Sequence, residues 1–225
     1  VVKLLLEKGA KVDLPAKDGD TALIVASVHG DVEAVALLLA RGAPIDQQNK
    51  EGRTALIMAC RKSSHKEGGR ADTNREFKRQ EQMLARGASR LLQPKKAASI
   101  EHWHSDYEAT KLAVALTNVV VLLLGEGASV DRKDKDGATA LMWASANGHE
   151  EVVKLLLGKR AQVDLQNKNG YSALMWASEY GHAEVAELLL DKRAQVDLPS
   201  ANGSTSMIMA CRKGHMKVVE MLHKR

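Results

Sequence analysis

The sequence predicts an all-α solenoid: helix–turn–helix pairs joined by hairpin-like turns, about six to seven units deep and truncated at both ends. Three observations carry that reading. TALMWASANGH at 139–149 returns as SALMWASEYGH at 172–182, one 33-residue period later. Leu, Ala and Val supply the apolar mass while only seven of 225 residues are aromatic, a mixture that favours helix over sheet. Apolar residues recur at helical spacing inside each period, and no unit can bury its apolar face except against a neighbour.

Taken in order, the whole chain reads as a single array. Residues 1–17 form a partial unit opening on a second helix, VVKLLLEKGA. Residues 18–50 form the first full one, DGDTALIVASVHGDVEAVALLLARGAPID plus a four-residue bridge. Its D-G pair marks a tight turn, Thr21 stands where a helix N-cap is wanted, and Gly30 breaks the first helix. Residues 51–95 begin in register as EGRTALIMACRK, then depart into an insertion near 63–80, SSHKEGGRADTNREFKRQ. Residues 96–135 are a degenerate repeat with an extra piece, LLQPKKAASIEHW; the helical remnant YEATKLAVALTNVVVLLLGEGA realigns over its second helix. Residues 136–168 and 169–201 are full repeats, and 202–225 is a partial one ending on VVEMLHKR. Thr54, Thr139, Ser172 and Thr205 repeat the N-cap, and Gly148, Gly181 and Gly214 repeat the break. Neither end carries the polar outer face of a capping repeat, so a longer array is the expectation.

The 33-residue period and the T-A-L-I/M-x-A pattern resemble the ankyrin repeat, whose signature is T-P-L-H-x-A. The resemblance is close over 1–61 and 127–225 and poor between them. Ala replaces the signature Pro, and Ile or Met replaces its His. Arg160 and Arg193 stand where Gly9, Gly42 and Gly127 end the second helix; a left-handed backbone there would strain arginine by roughly 1 kcal/mol.

Chemistry of other kinds finds little footing. Asp13, Asp46, Asp131, Asp164 and Asp197 occupy one repeat position, and His149, His182 and His215 another. A residue present once per repeat faces its own copy of one environment, so its role is architectural, with the histidines expected to bond neighbouring backbone. His102 and His104 in EHWHSD splay apart at i, i+2 and lack a nearby cysteine, which argues against zinc. Cys60 and Cys211 occupy matched positions four repeats apart and read as small core residues. No phosphate loop and no nucleophile elbow occurs. The expectation is therefore no catalysis, no metal and no cofactor. No apolar run reaches membrane-spanning length, no signal peptide opens the chain, and an intracellular protein is expected.

The formal charge of +5 is unevenly spread: residues 61–96 hold eleven Lys/Arg against four Asp/Glu. With Phe77 the only aromatic there, specific nucleic-acid binding is not expected, and attraction of this segment to an acidic partner or to an anionic membrane surface stands as an equal alternative. The family resemblance implies a scaffold or signalling adaptor that binds a protein on the concave face. It places contacts at the turn tips and the exposed ends of first helices: Lys135, Asp136, Asn147, Lys168, Asn169, Tyr171, Trp176, Glu179, Tyr180, Arg212 and Lys213. Trp143 and Trp176 read either as packing between repeats or as contacts. A regulatory or targeting segment of a larger enzyme, channel or signalling protein is the competing reading.

Overall fold

The computed structural model describes residues 2–62 and 98–225, with the helix at 98–109 described without its side chains. The chain divides into two compact units, one of residues 1–62 and 116–225, the other of residues 63–115. The insertion expected near 63–80 therefore lies outside the described residues, as does most of the stretch expected to close one repeat at 95.

Eleven helices occur among the described residues, in the order α1 (Val2–Glu7), α2 (Ala22–His29), α3 (Val32–Ala40), α4 (Ala55–Arg61), α5 (Ala98–Gly125), α6 (Ala140–Ala146), α7 (Glu150–Gly158), α8 (Ala173–Tyr180), α9 (Ala183–Asp191), α10 (Ser206–Lys213) and α11 (Met216–His223). Most are too short to persist alone in water, so their stability comes from stacking. Helices α2, α4, α6, α8 and α10 pack consecutively into an inner row. Helices α7, α9 and α11 stack consecutively beside it, and α1 meets α3 in the same way. Four of the five inner helices also pack on the second helix of their own hairpin: α2 on α3, α6 on α7, α8 on α9 and α10 on α11.

Local chemistry sets the start of every inner helix. Thr21, Thr54, Thr139 and Ser172 are extended N-caps whose hydroxyls accept from the backbone N–H three residues on, at 3.3–3.4 Å. Thr205 holds the same backbone geometry without the bond. From the cap onward the Leu–Ile or Leu–Met pair turns inward: Leu23, Ile24, Leu56, Ile57, Leu141, Met142, Leu174 and Met175 are all essentially inaccessible to solvent. The apolar residue that replaces the signature histidine is thus core. Gly30, Gly181 and Gly214 close their helices in the left-handed region.

Three ladders bind one unit to the next. At the turn tips the N–H of Lys50, Lys135, Lys168 and Ala201 donates to the carbonyl of Asp18, Glu51, Asp136 and Asn169, at 2.9–3.0 Å. At the outer turns Asp46 accepts from the Ser129 N–H, Asp131 from Gln162 and Asp164 from Gln195. At the start of the second helices, Nε2 of His149, His182 and His215 meets the carbonyls of Lys62, Ala146 and Glu179. Asp46, Asp131 and Asp164 and the three histidines therefore tie one repeat to the next, as expected of them.

The ladders also reveal how the irregular middle is crossed. The aspartate bond spans 31 residues at Asp131 and at Asp164 but 83 at Asp46. Helix α4 packs on α2 and on α6 alike, so the inner row passes from 55–61 to 140–146 without another inner helix between. Residues 98–125 form one continuous helix rather than a helix pair. Its end copies α7: Val119, Val120, Leu123 and Leu124 are buried, and so are Val152, Val153, Leu156 and Leu157, while Val121 is exposed where α7 has Lys154.

Candidate partner-binding surface

The turn tips and the adjoining side of the inner helices form one face of the stack. A tip must turn sharply and meet the next tip's backbone. Gly170 does both: its φ is 74°, and a Cβ there would lie 2.6 Å from the Ala201 nitrogen.

Lys135, Asp136, Lys168 and Asn169 are exposed at the tips, while their backbones carry the ladder. Tyr180, on the last turn of α8, is 58% exposed, and Tyr171 is half-buried. Burial, and then Glu179 and Tyr171, raise the Tyr180 hydroxyl above its ordinary pKa. Glu179 lies 3.8 Å from Lys213, and its carbonyl accepts from His215. Arg212 is exposed and donates through Nη2 to Ser204 Oγ at 3.2 Å. Asn147 differs from the rest. Its Nδ2 donates to the carbonyls of Cys60 and Arg61, 3.1 Å each, so its side chain ties α4 to α6.

Trp143 and Trp176 meet each other, with ring centroids 5.0 Å apart and planes tilted by 59°. Both are half-buried. They join adjacent repeats and still offer an edge to solvent, which combines the two readings their repeat position allows.

One cluster escapes a reading by tip and helix-end positions. Arg61, counted with the basic insertion by its place in the sequence, belongs to the last turn of α4 and puts its guanidinium 5.1 Å over the Trp143 ring. Asp134 is buried at the tip before α6; Oδ1 accepts from the N–H of Asp136 and Ala138, and Oδ2 from Trp143 Nε1. Arg53 Nε stands 4.0 Å from Asp134 Oδ2, buried and without a hydrogen bond. Arg53 thus stands beside a carboxylate already engaged by three N–H donors. Burial and the nearby Arg53 both lower the Arg61 pKa, with Asp134 opposing them. The sequence signal was available: Arg53 occupies the tip position that Tyr171 holds, and Arg61 the helix-end position that Glu179 holds.

Among the described residues no helix is long and apolar enough to cross a membrane. Cys60 is fully buried, and desolvation drives its thiol pKa far up, which makes it an inert core residue. Cys211, at the matched position, is exposed, against the expectation that both are core. It belongs to α10, which has an inner-row neighbour, α8, on one side.

No curated protein matches the chain. A family model described as ankyrin repeats (3 copies) matches residues 1–70, 108–200 and 159–225. Those matches take in most of the sequence and the structure is an all-helical stack of the matching period, so the chain belongs to the ankyrin-repeat family, whose repeats generally mediate protein–protein interaction.

Proposed function

We propose that the chain is a non-catalytic scaffold that holds a protein partner on the concave face formed by its turn tips and inner helices, centred on residues 135–213. One observation carries this reading. Among the differences between residues 136–168 and 169–201, Ala138 becomes Tyr171, Ala146 becomes Glu179 and Asn147 becomes Tyr180, which brings large side chains to one tip and inner-helix end. Tyr171, Tyr180 and the edge of Trp176 lie there beside Lys168, Asn169, Arg212 and Lys213. Exposed tyrosine and half-buried tryptophan supply large contact area at little entropic cost, as binding hot spots do.

The test is affinity capture from a cell lysate with the native chain and with a Tyr171→Ala/Tyr180→Ala variant of equal melting temperature. Hydrogen exchange is then measured on the complex with whatever protein is retained. Retention lost in the variant, with protection across 135–213, supports the reading. Protection confined to the outer row, around Lys154 and Glu187, sinks it.

A further inference from the structure

The same face is polarised, and its charges single out a class of partner. The aromatic strip of Trp143, Trp176 and Tyr180 is flanked on one side by Arg53 and Arg61 and on the other by Arg212. On the first flank, Arg53 Nε is buried 4.0 Å from Asp134, whereas Arg61 is exposed with its guanidinium 5.1 Å over the Trp143 ring. A carboxylate arriving there would meet the exposed Arg61 guanidinium and offset the repulsion that Arg53 exerts on it. On the second flank, Arg212 is exposed and engaged only by the neutral Ser204 hydroxyl through Nη2.

Resting on the concave-face reading above, we propose that this surface binds an extended acidic peptide segment of a partner protein. Carboxylates would sit on Arg61 and on Arg212, and an apolar or aromatic side chain between them on Trp176 and Tyr180. The chain's own residues 63–97 are a poor occupant, because they carry nine Lys/Arg against four Asp/Glu and would be repelled. A nucleic acid fits less well for a different reason. Asp136 and Glu179 lie on this face between the two flanks, and a backbone charged at every nucleotide must pass over them. A peptide spaces its acids apart and avoids both.

A display library of random peptides about twelve residues long, ~40 Å when extended, would be selected on the intact chain. Enrichment of Asp and Glu on both sides of Trp, Tyr, Phe or Leu is expected. The best peptide, made synthetically, should bind at least about tenfold more weakly to Arg61→Gln and to Arg212→Gln, and more weakly as salt rises from about 50 to 300 mM. Arg212→Gln guards against misfolding as the cause, since Arg212 is exposed and Arg61 packs on Trp143. Enrichment of neutral or basic peptides that still depend on Tyr180 overturns the acidic class and leaves the concave-face reading standing. Acidic peptides indifferent to both arginines and to Tyr180→Ala overturn both. Displacement by single-stranded oligonucleotide, or no enrichment at all, overturns the inference alone.

Discussion

Arg160 and Arg193 each end a helix at φ 64°, the only positive-φ residues other than glycine among the described residues. The equivalent Gly9, Gly42 and Gly127 adopt the same conformation without a Cβ to crowd the next carbonyl. Arg160→Gly and Arg193→Gly should each therefore stabilise the fold by about 1 kcal/mol, raising the midpoint of thermal unfolding by about 2–4 °C. Calorimetry on the two single variants checks this; a fall would mean the arginine side chains make contacts worth more than the strain. This strain was legible in the sequence, because three aligned glycines announced the conformation. The Arg53–Asp134–Arg61 cluster was legible only in part: Arg53 and Arg61 hold tip and helix-end positions, but Asp134 joins them from beyond the insertion, which no local pattern shows. Glu184 offers a smaller effect. Lys217, 2.6 Å away, holds its carboxyl below the ordinary glutamate range. A depressed folded pKa stabilises above the unfolded value and is lost as pH falls through the folded one. Both groups are well exposed, so the contribution is below about 1 kcal/mol and salt-sensitive. In an NMR titration Lys217→Ala should raise the Glu184 midpoint; an unmoved midpoint would mean the pair does not form in solution.

At the scale of an element, periodicity made the inner helices readable, since their Thr/Ser caps and Leu–Ile/Met pairs recur on schedule. Helix α5 was harder. Its sequence contains both a remnant of the repeat and apolar residues before it, and nothing local says whether a turn interrupts them. The structure continues the helix from Ala98 to Gly125, with no left-handed glycine inside it to break the run. The part copying α7 should behave as core. Leu123 is wholly buried, so Leu123→Ala should cost about 2–5 kcal/mol. Val121 is 48% exposed at the Lys154 position, and Val121→Lys should change stability by less than about 0.5 kcal/mol. Urea unfolding of the pair decides it: equal small effects would mean this helix end does not share the cooperative core.

Across the whole molecule, the 83-residue aspartate bond and the direct α4–α6 packing suggest a concrete experiment. In the regular repeats the inner helix is followed by one left-handed glycine and then the second helix, as at Asn147–Gly148–His149. Asn147 aligns with Lys62, and counting back from Val119 as the equivalent of Val152 aligns His149 with Leu116. Replacing residues 63–115 by a single glycine would join Lys62 to Leu116 and restore the regular spacing. That segment is also the second compact unit, so the excision removes one body of contacts and leaves the other whole. Loop closure costs rise with length, so shortening it should leave the unfolding midpoint at or above that of the parent, with the helical signal of the stack retained. The face bearing Arg53, Arg61, Trp143 and Tyr180 lies entirely outside the excised residues, and its peptide affinity should stay within about twofold. A cooperative transition in the shortened chain would mean that one repeat, split between its two helices, spans residues 51–135. A broad or lost transition would mean that residues 63–115 supply packing of their own to the array, and that the unit count is higher by one.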